Sequence, residues 1–273
     1  ASRVSVFQIT IFFLYIIAGA AFIMTRVERL APQWKMMFAL ALLTNATGLL
    51  WHGWTLYFLV LQQGGLSLSI GNAASFIGLQ LALISFLAAG ERTLRGLCGG
   101  LVILAALMSL MTDTAPSIDA AVQLSLQLQV HVLISLFAYG LLTVGAIVAL
   151  FALVQETRLR AGLFSPINQI FAPLETTERL LFGITSAGFL FLLVAVSSGF
   201  AFVDNLFSQH LVHKTALSLL ALALFGLLLA GRRFAGWRGK RAVYLYLWGF
   251  LILCLAYFGS RYVLEEILGR SWS

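Results

Sequence analysis

Eight apolar runs dominate this chain of 273 residues, and most are long enough to cross a lipid bilayer. They are Val4–Met24, Met36–Leu59, Ile70–Ala89, Leu97–Met111, Val130–Val154, Leu180–Phe202, Lys214–Ala230 and Ala242–Leu264. A spanning helix needs about 20 mostly apolar residues, because hydrocarbon offers the backbone N–H and C=O groups no partner but each other. The fourth run is the shortest. Every connection is short, the longest being Gln155–Arg179, and no stretch is left for a soluble domain. The predicted architecture is an all-α polytopic membrane bundle of about eight transmembrane helices, a single integral membrane domain over 1–273. Composition agrees. The chain is 61% hydrophobic and 10% charged, whereas globular domains carry roughly 45–50% apolar and about 25% charged residues. So few charges cannot cover a soluble surface, and disorder requires low hydrophobicity.

The first run is too long for a signal-peptide core and leads into a basic loop, so it reads as a retained helix. Cys98 and Cys254 lie inside apolar runs with no second Cys or His at ligand spacing, and they read as small buried hydrophobes.

The net charge is +7, from 17 basic and 10 acidic residues. Orientation follows from where the basic residues fall. With the N-terminus outside, the four inner loops hold Arg26, Arg29 and Lys35; Arg92 and Arg95; Arg158, Arg160 and Arg179; and Arg232, Arg233, Arg238, Lys240 and Arg241. Only Arg3, Lys214, Arg261 and Arg270 remain outside. This split predicts an even number of spans with both termini extracytoplasmic. It also explains the positive charge without nucleic acid. The run Arg232–Arg241 suits anionic lipid at the inner surface. The outer connection Thr112–Gln129, with Asp113, Asp119, Gln123 and Gln127 among spaced Leu and Val, suggests a short amphipathic lid. Pro173-Leu174-Glu175 carries proline and an acid as a first helical turn does.

Four histidines, His52, His131, His210 and His213, all fall on the outer side under this topology. His52 shares a helix face with Asn45 and Gly48, and small or polar residues on one face of a membrane helix usually meet other helices. An ionisable side chain within a span is a functional-site hypothesis. The alternative is a histidine bonded across helices, or an interfacial one between Trp51 and Trp54. His131 begins a stripe of small residues, Ser135, Ala138 and Gly145, that points it into the bundle. An imidazole there, beneath a polar lid, suits axial ligation of haem iron or a metal; the alternative is an interfacial histidine. His210 and His213 lie three apart, followed by Lys214. A lysine at a helix start opposes the helix dipole and makes sense opposite an anion such as a haem propionate, or else snorkels to water. No Gly-rich phosphate loop, His-Glu-x-x-His motif or Ser-His-Asp order is present, and acids within the spans are too few for a proton relay. No enzymatic activity is expected.

Further motifs tie the second half to a family. Val130-His131-Val132-Leu133-Ile134-Ser135-Leu136-Phe137-Ala138-Tyr139, Gly236-Trp237-Arg238-Gly239-Lys240-Arg241 and Leu255-Ala256-Tyr257-Phe258-Gly259-Ser260 together resemble the cytochrome c assembly family, the CcsA/CcmC/HemX-like proteins. The likeness extends over about Leu128–Leu264 and more loosely over the His52 helix and Ser67–Phe76. It implies a multi-pass bacterial inner-membrane protein that handles haem at its outer face, with haem b as cofactor. The implied partners are the lipid bilayer, haem and other membrane proteins of cytochrome maturation. By position His131 matches the family's first outer histidine and His52 its first membrane-embedded one. The chain departs from the family between Ala201 and His213, where a tryptophan-rich segment belongs and no tryptophan stands. No histidine ends the seventh run, and none follows the eighth. His213 is the proposed substitute for the missing outer partner of His131. The same departures leave a second expectation, a non-haem accessory or regulatory protein that uses the scaffold to bind a membrane partner.

Overall fold

A computed structural model describes residues 5–62, 65–66, 69–113, 125–162, 170–202 and 212–259. These form eight α-helices: α1 Val6–Met24, α2 Trp34–Val60, α3 Ile70–Ala88, α4 Arg95–Ser109, α5 Leu126–Arg160, α6 Leu174–Phe202, α7 Val212–Ala235 and α8 Gly239–Cys254, the last prolonged by a π-turn, Leu255–Gly259. The only strand pairing among the described residues joins Leu61–Gln62 to Gly65–Leu66 in a two-residue antiparallel hairpin after α2. The weak fourth run does form a helix. With the 3₁₀ turn Arg92–Leu94 ahead of it, it reaches 18 residues.

Helix ends follow local chemistry. The Ser5 hydroxyl accepts from the Gln8 amide while Gln8 Oε1 accepts from the Ser5 amide, a reciprocal cap on α1. Ser69 caps α3 through the Asn72 amide. Proline lies just outside α6, and Glu175 is in its first turn. Gly162 and Gly236, at φ 64 and 63, follow α5 and α7 in the left-handed conformation that ends helices cheaply only at glycine. The 114–124 part of the expected lid lies outside the described residues, and Leu126–Gln129 belong to the first turn of α5.

Seven of the helices are long and apolar enough to span a bilayer. The exception, α2, has the length at 27 residues, but Asn45 and His52 interrupt its apolar run. Both are buried, along with Ala41, Gly48 and Leu56 on the same face, while Leu43, Leu50, Trp54 and Phe58 are exposed on the others. A helix with its polar atoms facing protein and its apolar ones outward suits lipid despite its lower hydropathy.

The chain divides into two compact units. The first comprises 1–123 and 154–177. In it α1 packs on α2 and α4, and α3 packs on α2 and α4. Glycines bring α1 and α4 close: a Cβ at Gly19 would lie 2.9 Å from the Gly99 carbonyl. The second comprises 124–153 and 178–273. There Gly188 of α6 seats Leu142 of α5, Phe189 of α6 meets Gly226 of α7, and Phe225 of α7 meets Tyr246 of α8. The Tyr246 hydroxyl donates to the Leu142 carbonyl at 2.7 Å in space left by Gly145, closing α8 onto α5.

Candidate functional site

His52 has no exposed surface and lies in the first unit, at the centre of a buried polar chain. Its Nδ1 is 3.2 Å from the Tyr15 hydroxyl and its Nε2 2.7 Å from Ser75 Oγ. Ser75 Oγ lies 2.6 Å from Thr112 Oγ1, whose proton goes to the Ser109 carbonyl at 2.7 Å. Each hydroxyl has one proton, so that carbonyl orients the whole series. Thr112 accepts from Ser75, Ser75 accepts from His52 Nε2–H, and His52 Nδ1 accepts from Tyr15. The Gln8 side-chain amide donates to the Thr112 carbonyl. Gly48, one turn before His52, gives the Tyr15 ring its place; a Cβ there would lie 2.7 Å from Tyr15 Cε1. One continuous set of bonds thus joins α1, α2, α3 and the residues after α4, and both imidazole nitrogens are used.

His131 contrasts with this. It lies half-buried on α5 in the second unit, with its ring against Gly199 of α6. Its Nδ1 is 2.8 Å from Ser198 Oγ, and the Ser198 proton goes to the Ala195 carbonyl at 2.9 Å. Ser198 therefore accepts, and His131 is the Nδ1–H tautomer. Nε2 keeps its lone pair, and among the described residues no hydrogen bond to it is formed. Histidine ligands of metals are held in this way, one nitrogen donating to a protein oxygen and the other left open.

Lys214 lies at the start of α7 in the same unit, within electrostatic reach of His131. Its Nζ is 5.4 Å from the centre of the Tyr257 ring. Tyr257 belongs to the π-turn that prolongs α8. Just before that turn the Leu253 carbonyl accepts from the buried Tyr139 hydroxyl at 2.8 Å, and within the turn Tyr257 and Phe258 lie against the Tyr139 ring. One π-turn therefore links α5 to the residue beneath Lys214, and such turns are frequent at functional sites.

His213 is exposed, and among the described residues it forms no hydrogen bond. His210 lies outside the described residues. The second unit thus holds His131, His213 and Lys214, while His52 is in the first. No cluster of three or more His, Cys, Asp or Glu occurs among the described residues. Sequence reasoning missed Ser198, Tyr15, Ser75 and Thr112. Ser197-Ser198-Gly199 in an apolar helix was a visible signal, but pairing it with His131 needs the α5–α6 register. An axial ligand needs a free imidazole nitrogen. His131 meets that requirement, whereas His52 would have to release Tyr15 or Ser75 first.

Residues 40–268 match the family described as "Cytochrome C assembly protein". The chain is 32% identical over 239 residues to the protein named "Inner membrane protein YpjD" from Escherichia coli K12, covering 86% of this chain and 89% of that one. It is 30% identical over 144 residues to an uncharacterized 28.8 kDa protein of Azospirillum brasilense, covering 52% and 53%. No solved structure matches.

Proposed function

The chain belongs to the cytochrome c assembly family as a multi-pass inner-membrane protein, and from that premise we propose that it binds or chaperones haem, as haem b, at the extracytoplasmic face. The observation that carries this reading is the open Nε2 of His131, held ready by Ser198. Imidazole is a common axial ligand of haem iron. When bound, haem would supply the iron that takes up this lone pair. The chain's own residues do the rest. Ser198 fixes the tautomer, Gly199 leaves room for the ring, and Lys214 offers positive charge to a propionate. His213, exposed one residue before Lys214, is the proposed second ligand, with His210, three positions earlier in the sequence, as an alternate. We assign His52 to the scaffold of the first unit, because ligation there would cost it one of two buried hydrogen bonds. The topology that fits is eight spans in a single integral membrane domain with both termini outside, and no catalytic step is assigned.

Titration of the purified protein with haemin tests the reading. A Soret band is expected for the wild type, and its loss is expected for His131→Ala. The absence of tryptophan between Ala201 and His213 favours a second reading, a non-haem accessory that binds a membrane partner. Stable co-purification of such a partner with no haemin uptake would select it.

A further inference from the structure

We propose, on the haem reading above, that Tyr257 is a positioning residue. Its ring holds Lys214 where that lysine meets a carboxylate, so the site selects tetrapyrroles that carry a free acid group. Three contacts gather the parts at one end of the second unit. His131, in the second turn of α5, is 2.8 Å from Ser198, near the end of α6. Lys214, in the first turn of α7, stands over Tyr257 of the π-turn that ends α8. Tyr257 in turn lies against Tyr139 of α5.

Tyr257 is itself fixed. Its ring centre lies 5.7 Å from that of Tyr139 and 5.0 Å, edge-on, from that of Phe258, whose ring meets Tyr139 edge-on at 6.4 Å. The buried Tyr139 hydroxyl donates to the Leu253 carbonyl at 2.8 Å. That bond ties the three-ring group to α5, about two turns along from His131. Lys214 Nζ is 5.4 Å from the Tyr257 ring centre, within the reach of a cation–π contact. The helix that carries the ligand thus also sets, through Tyr139 and Tyr257, where the cation stands.

A lysine has a flexible four-carbon stem, and holding it still costs rotamer entropy. In the first turn of α7 its charge also opposes the helix dipole. An aromatic face offsets both, because it attracts the ammonium and limits where it can go before a ligand arrives. Such preorganisation cuts the cost of binding. The ammonium has three donors, so a ring on one side leaves others for a carboxylate oxygen. A hydrogen bond to an ionised acceptor is shorter and stronger than a neutral one, and an ester offers no such charge.

The test titrates the full-length protein in detergent with haemin and with haemin dimethyl ester, whose propionates are blocked, and reads the Soret band. A thermal melt of each variant checks the fold. The wild type should bind haemin about tenfold more tightly than the ester, the effect of one hydrogen bond to a charged group. Lys214→Met should bring haemin down to the affinity of the ester. Tyr257→Leu should weaken haemin alone, by about threefold, as loss of a cation–π contact does. Tyr257→Phe keeps the ring and should restore the preference. Equal affinity of the wild type for the two ligands would overturn the proposal while the haem reading stands. So would a Tyr257→Leu protein that keeps the full preference, or one that weakens both ligands alike, as a merely structural residue would. A haemin preference that survives Lys214→Met would overturn it too, whatever the melt of Tyr257→Leu. Uptake of neither ligand by the wild type would overturn the haem reading and this proposal with it.

Discussion

Replacing His52 by leucine separates a structural histidine from a ligand. Leucine keeps roughly the volume but forms no hydrogen bond. Tyr15, whose hydroxyl donates to Nδ1, and Ser75, whose oxygen accepts from Nε2–H, both lose a partner at a site with no exposed surface. Each lost bond is worth about 1 kcal/mol, and each polar group left buried alone adds to it, so the loss comes to about 2–4 kcal/mol. For a chain of this size each kcal/mol moves the thermal midpoint by about 2–4 °C, which places the fall at about 4–16 °C. Tyr15→Phe keeps the ring against Gly48 and removes one bond only, so about 1 kcal/mol is expected. The assay is a thermal melt in detergent followed by far-ultraviolet circular dichroism, with haemin titration of each variant well below its midpoint. The expected outcome is lower stability with the haem absorption retained. A His52→Leu protein that melts like the wild type but takes up no haemin would refute the scaffold role.

Two further substitutions probe the second unit. A Cβ at Gly145 would lie 2.0 Å from the Tyr246 hydroxyl, so Gly145→Ala should force that hydroxyl off the Leu142 carbonyl and lower stability by about 1–3 kcal/mol in the same melt. Ser198→Ala removes the acceptor that fixes the His131 tautomer and should weaken haemin affinity about tenfold without moving the melt, with Ser198→Thr restoring it, because residues that orient a metal ligand typically contribute 10–100-fold.

The helices were legible because lipid imposes a length on them, and apolar runs such as Ile70–Ala89 record that length almost residue for residue against the observed Ile70–Ala88. The start of α5 was less so. Leu126–Gln129 alternates polar and apolar residues and resembles a surface segment, yet it continues the helix beyond the apolar run. Gly48 and Asn45 marked the protein-facing side of α2 correctly in sequence, since only a small residue admits the Tyr15 ring there. The chemistry of the histidines was not legible. His52 and His131 look alike in sequence, each an imidazole in an apolar helix near small residues. What distinguishes them is whether one oxygen or two lie within reach, and that depends on Tyr15, Ser75 and Ser198, which are 37, 23 and 67 positions away. The π-turn was equally hidden. The motif Leu255–Gly259 was visible, but nothing in its composition marks the widened turn that it forms.

The most direct test of the haem reading is the absorption spectrum of the wild type and His131→Ala after haemin titration, with imidazole added back to the variant. A Soret band in the wild type, its loss in His131→Ala and its recovery with free imidazole are the predicted results. An identical band in both proteins, or none in the wild type, would contradict ligation through His131 Nε2.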